Sequence, residues 1–178
     1  MSLGRRREGT AQRLVAQLRL KRGAPTDIPL IEQVKIQAQV LVPLVKALQA
    51  ELGEERANSI VRKALAELYR KFGERYWRER GGADLGATMT ATFDGFAAAD
   101  ALDFQVIGRT ADRFDIDVKR CRYAEFFKQI GAPELGFLLV CSADFHMTEG
   151  FGGVQLERTQ TIMQGASHCD FRYARRRS

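Results

Sequence analysis

The spacing of apolar positions changes character partway along the chain. Up to about residue 101 the period is helical. Residues 7–21 carry a thin apolar stripe, Leu14, Val15 and Leu18, in a charged stretch, and predict a short helix. GAPTDIP (23–29) breaks it, with two prolines and Asp27 placed to cap the next helix. Residues 30–52 predict a long apolar helix in which Pro43 should cause a kink or a split, and Gly53 ends it. Over 54–80, Ile60, Ala64, Leu68, Phe72 and Tyr76 recur every four residues, the spacing of one helix face. Trp77 closes that helix and Gly81-Gly82 stops it. Residues 84–101 predict a fourth helix.

Beyond residue 101 polar and apolar positions alternate. Phe104 and Val106 in one run, and Phe114, Ile116 and Val118 in the next, predict a hairpin around TADR. CRYAEFFKQIG (121–131) predicts a short helix ended by Gly131, and Pro133 opens another through PELGFLLVCSADFHM. EGFGG reads as a loop. VQLERTQTIM and HCDFRYARR predict two closing strands around a QGAS turn. The fold class expected is α+β: N-terminal helices packed on an antiparallel sheet of about four strands, interrupted by a helical pair. The expected organisation is a basic N-terminal helix and linker over 1–29, one domain over 30–175, and a basic tail over 176–178.

Charge changes the picture less than its total suggests. The net charge is +6, but residues 1–22 carry seven Arg or Lys against one Glu, and residues 172–178 carry four Arg. The body between them is slightly acidic. A nucleic-acid reader usually carries a basic face interleaved with aromatics on its folded body, so nucleic acid is not expected as a partner. MSLGRRREGTAQ has basic residues but no apolar run after them, so no secretory leader is expected. No stretch has the length and apolarity of a membrane span, and the location expected is cytoplasmic. The expected partner is a small molecule, with a second copy of the chain left open.

Three cysteines, an odd number, read as free thiols in a reducing compartment. Cys121 follows a strand and opens a helix, where amide groups and the helix dipole stabilise a thiolate; a buried small residue is the alternative. Cys141 and Asp144 stand three apart on nearly one helix face, a spacing that suits a nucleophile and a general acid/base. Asp144 could instead brace the following loop. In the last strand Cys169, Phe171 and Tyr173 share one face, and His168, Asp170 and Arg172 share the other. Cys169 is as well suited to the core as to a site. Arg172 could clasp a carboxylate, or pair with Asp170. No CxxC or HxxxH pair is present, so no metal is expected, and no cofactor. Gly150, Gly152 and Gly153 do not lead a strand into a helix, which excludes a phosphate loop.

In order, CRYAEFF, GAPELGFLLVCSAD and ERTQTIMQGASHCDFRY resemble the L-2-amino-thiazoline-4-carboxylic acid hydrolase family. The matching positions are Cys121, Glu125, Gly131, Cys141, Asp144, Arg158, Thr159, Gly165, Cys169, Asp170 and Phe171. The layout is also similar, at the level of fold, to 4-vinyl reductase and transport-particle small-molecule-binding domains. The resemblance implies a bacterial hydrolase that opens a five-membered cyclic amidine. The candidate catalytic residues are Cys141, Asp144, Cys121, Cys169 and Asp170. Arg172, Thr159 and His168 are candidates for substrate binding. Two routes are open: Cys141 attacks, with Asp144 as acid/base and Arg172 as carboxylate anchor, or water attacks with help from Asp144 or Asp170 while the cysteines shape the pocket. A non-catalytic binding module enclosing a hydrophobic ligand is the rival, and an interaction subunit docking through its basic ends is a third reading.

Overall fold

In the computed structural model, which describes residues 28–176, helix α1 (Leu30–Leu52) runs through Pro43 without splitting. The predicted 7–21 helix lies outside the described residues. Pro43 and Gln39 both sit on the exposed side of α1, so the carbonyl that Pro43 leaves without an amide faces water. Ile31, Ala38, Val42 and Val45 turn inward.

Helix α2 (Glu54–Arg80) differs from its sequence pattern by one position. The row that turns inward is Ala57, Val61, Leu65, Tyr69, Gly73 and Trp77, whereas Ile60, Leu68 and Phe72 stay 47%, 55% and 44% exposed. Close approach explains the choice. At Gly73 an added Cβ would stand 2.0 Å from the Met147 carbonyl oxygen, and at Gly150 one would stand 2.2 Å from that of Arg70. Two glycines let helix backbones touch, and the face that holds the glycine must turn inward even though the neighbouring row is greasier.

Asp84 caps α3 (Leu85–Ala97) by accepting the Ala87 amide at 2.8 Å. Then come β1 (Leu102–Arg109) and β2 (Arg113–Cys121), the expected hairpin, followed by α4 (Arg122–Gln129) and α5 (Pro133–Gly136). The long helix expected after Pro133 is interrupted. Phe137–Cys141 forms a π turn, with the Ser142 amide bonding the Phe137 carbonyl, before α6 (Ala143–Gly150) resumes. Strand β3 (Val154–Glu157) stops well short of the expected Met163. Residues 158–161 leave the sheet, and a 3-10 turn comes next at Ile162–Gln164 with Thr161 accepting the Gln164 amide. Strand β4 (Cys169–Arg175) closes the sheet, whose order is β1-β2-β4-β3 with every pair antiparallel.

One face of the sheet is apolar. Leu85, Met89 and Phe93 of α3 pack there against Phe114, Ile116, Val118, Phe171 and Tyr173. Phe93 is 4% exposed and meets the rings of Phe104, Phe114, Phe171 and Tyr173 within 6.1 Å. Burying such a side chain contributes roughly 2–3 kcal/mol. A second cluster joins α1 to α4, α5 and the π turn. Cys121 and Ile162 pack against both clusters, and this junction positions the candidate site.

Candidate functional site

Four of the eight residues singled out in the sequence gather at that junction. Cys121 ends β2 and stands at the N-cap of α4. Its environment does not favour a thiolate. Burial pushes the thiol up to about 11; the amides of Ala124 and Tyr123 oppose this, and the side chain makes no capping hydrogen bond. Cys141 is the last residue of the π turn. Burial pushes its thiol well above the ordinary value, and Asp144 adds to the effect. Cys169, 7% exposed on the inner face of β4, accepts the Ile162 amide at 3.2 Å, and burial again raises its thiol. Cys169 belongs to the core cluster of the sheet, Cys141 packs against the neighbouring one, and Cys121 packs against both, so the three thiols lie along one junction.

Asp144 lies in the first turn of α6. Its side chain keeps 27% of its surface, so one flank reaches solvent while the rest sits in protein. Burial raises the carboxyl to about 6, against the pull of Arg158. Arg158 is the residue that sequence reasoning left out of the site. It follows β3 directly, and its side chain is 2% exposed. One guanidinium nitrogen donates to Asp144 Oδ2 and the other to the Cys141 carbonyl at 2.9 Å. The group sits over the rings of Phe145 at 4.8 Å and Phe171 at 5.1 Å. Arg158 belongs to the ordered motif set, but an Arg after a short polar strand reads locally as surface. Tyr69 on α2 completes the surround: its hydroxyl donates to the Leu139 carbonyl, and burial followed by the Asp144 charge raises its pKa.

The other four form a second cluster on the outer face of the sheet. Asp170 accepts from the Thr159 amide at 3.0 Å, the Thr159 hydroxyl at 2.7 Å and the Gln160 amide at 2.9 Å. Burial works against the ionised form, but the Thr159 hydroxyl and the Gln160 and Thr159 amides hold the carboxyl below its ordinary value. Asp170 thus pins the 158–161 segment after β3. His168 meets Gln160 and Ser167, with Asp117 Oδ2 3.8 Å away. Arg172 bonds the Ile116 carbonyl at 2.7 Å and Asp117 Oδ1 at 2.8 Å. The pairing with Asp170 offered by the sequence is not made; Asp117, held low by Arg172 and Lys119, is its partner. Among the described residues no three His, Cys, Asp or Glu side chains are arranged to hold a metal ion. Nor is any helix among them long and apolar enough to cross a membrane.

Comparison with known proteins adds three findings. The family model for L-2-amino-thiazoline-4-carboxylic acid hydrolase matches residues 33–173, which include both clusters. No curated protein matches the chain. Among solved structures, the phenol-responsive sensory domain of the transcription activator PoxR, with phenol, superposes with a TM-score of 0.45 at 14% identity, covering 76% of this chain and 72% of that one.

Proposed function

The chain belongs to the L-2-amino-thiazoline-4-carboxylic acid hydrolase family, and on that premise we propose that it hydrolyses a small cyclic amidine such as L-2-amino-thiazoline-4-carboxylate, with Asp144 as general base. The observation that carries the reading is the Asp144 carboxyl itself: paired with the buried Arg158, raised by burial to about 6, and set beside a junction where three thiols raised by burial lie.

Those raised thiols favour the water route over the cysteine route. A thiol held above its ordinary value is protonated at neutral pH, and the thiol is a poor nucleophile compared with the thiolate. A carboxyl near 6 is mostly ionised at pH 7 yet basic enough to accept a proton, which is what a general base requires. In this mechanism water adds to the carbon between ring nitrogen and sulfur, and its proton passes to Asp144. The C=N electron pair moves to nitrogen as the C–O bond forms; the tetrahedral centre then collapses to a C=O group as a ring bond from that carbon breaks, and the hydroxyl proton passes to nitrogen. Asp144 returns the proton to the departing heteroatom, so the product is the substrate plus one water. Cys121, Cys141 and Cys169 shape the apolar wall around the ring.

The test is incubation of the purified protein with L-2-amino-thiazoline-4-carboxylate, followed by liquid chromatography and mass spectrometry. A product one water heavier is expected. Asp144→Asn should slow its formation by about 10²–10⁴-fold, while Cys141→Ser should keep measurable turnover. Loss of all turnover in Cys141→Ser, with the fold intact, would restore the cysteine route. Saturable binding without turnover in the wild type would overturn the hydrolase reading in favour of a ligand-binding module.

A further inference from the structure

We propose that Arg158 is the positioning residue of this site: by bonding the Cys141 carbonyl and the Asp144 carboxylate at once, it fixes the π turn and the acid in a single geometry. The proposal rests on the hydrolase reading for its kinetic consequence and on geometry alone for its structural one.

A π turn shifts helical hydrogen bonding by one register, so the residues on either side of it are set by whatever holds the turn. Here the turn ends at Cys141, and α6 restarts two residues later with Asp144 in its first turn. The segment has a partner within it, since the Ser142 hydroxyl donates to the Leu138 carbonyl at 2.6 Å. Two contacts reach it from outside: the Tyr69 hydroxyl donates to the Leu139 carbonyl, and the Arg158 guanidinium donates at 2.9 Å to the Cys141 carbonyl and, through its other terminal nitrogen, to Asp144, so Arg158 is the one that ties the turn to the acid. A planar fork can span these two acceptors; an ammonium is a point charge and cannot hold both in the same way. The rings of Phe145 and Phe171 fix the plane of the fork from α6 and from β4. Three elements therefore meet on one side chain that is 2% exposed.

The groups that share Asp144's surroundings come from every side: Tyr69 on α2, Cys121 at the end of β2, Cys141 in the π turn, and Cys169 and Tyr173 on β4. None of these is a cation, and His146, next along α6, turns to Glu149. Arg158 is the cation that opposes the effect of burial on Asp144.

Two variants separate positioning from mere charge. Arg158→Lys keeps the cation and removes the fork. It should lower kcat by at least about tenfold, because a small misplacement of a catalytic group is costly, while the acid limb of the rate profile stays near its wild-type pH. Arg158→Met removes the cation, and the Asp144 midpoint should rise. That midpoint is read directly by carbon-13 NMR of protein labelled at aspartate carboxyls, with no substrate present. Wild-type kcat in Arg158→Lys would overturn the positioning role, as would an unmoved Asp144 midpoint in Arg158→Met. If the wild type shows no turnover, the hydrolase reading fails by itself, and the backbone NMR shifts of residues 137–144 in Arg158→Lys still decide the structural claim: displaced shifts with a near-normal Asp144 midpoint support it, and wild-type shifts throughout the turn overturn it.

Discussion

The two faces of β4 hold acids with opposite fates. Asp144 meets the inner face across the π turn, where burial outweighs one guanidinium and the carboxyl rises to about 6. Asp170 projects from the outer face, where three donors on Thr159 and Gln160 hold its carboxyl low. The same functional group is raised in one place and held as a fixed strut in the other. What separates them is the number of donors aimed at the charge and the amount of protein excluding water. Distance along the chain is a poor guide: Asp170 is next to Cys169, yet it holds the loop after β3, whereas Asp144, fourteen residues before Arg158, pairs with that guanidinium on the inner side.

The largest effect is expected from breaking the support of the inner face. Gly150→Ala would drive a Cβ to within 2.2 Å of the Arg70 carbonyl, and backbone cannot rotate away as a side chain can. Overpacking of this kind costs about 3 kcal/mol. Because α6 carries Asp144, the variant should lose activity as well as stability; urea unfolding with an unchanged midpoint would show that the helix contact is not rigid.

Next in size is the pH response. As the general base, Asp144 must lose its proton to work, so kcat/KM should rise with pH through about 6 and level off above it. A profile flat from pH 5 to 8 would remove Asp144 from the rate-limiting step. Asp170 has the opposite sign and a different readout. Its lowered carboxyl contributes stability above the unfolded-state pKa, near 3.9, and that stability is lost as pH falls through the folded value. Asp170→Asn should therefore lower stability by about 1–2 kcal/mol at pH 7 and flatten the acid-side fall in the unfolding midpoint. A variant as stable as the wild type at pH 7 would mean that the 158–161 segment holds itself.

The inner cluster was legible because its chemistry lies in residue types with few other uses. Cys121 stands at the strand–helix junction the pattern gave, whereas Cys141 ends a π turn and Asp144 opens the helix after it, in place of the continuous helix expected to carry both. Alternation likewise placed Cys169, Phe171 and Tyr173 on one face. Three features escaped because they depend on contacts between distant segments. The inward row of α2 is set by Gly73 meeting α6, which no count of apolar residues in α2 can show. The early end of β3 follows from Asp170 drawing in the amides of Thr159 and Gln160, eleven and ten residues away. Arg158 was overlooked as a site residue because a charged side chain after a strand is usually solvated; only the fold brings Phe145, Phe171, Asp144 and the Cys141 carbonyl around it.

The smallest effect is expected on the outer face, from Arg172→Ala. Sequence alone offered Arg172 as the anchor of a substrate carboxylate. In the structure its guanidinium bonds the Ile116 carbonyl and Asp117, on the side of the sheet away from the thiols. The pair is half-buried and Arg172 also holds the Ile116 carbonyl, so its loss should cost about 1 kcal/mol, and KM for a carboxylated substrate should stay within about twofold of wild type. The measurement is nonetheless a sharp one, because the outer face has a depression of its own. It encloses about 200 Å³ over Ala174, walled by Arg113, Asp115, Gln155, Glu157 and Arg172. Asp115 there is buried, and its Oδ1 has no hydrogen-bond partner among the described residues. A KM raised tenfold in Arg172→Ala, with kcat unchanged, would move substrate binding to this depression and leave the inner thiols as core. An unchanged KM, with turnover still abolished by Asp144→Asn, would assign the chemistry to the inner face and the outer charges to holding β2, β3 and β4 in register.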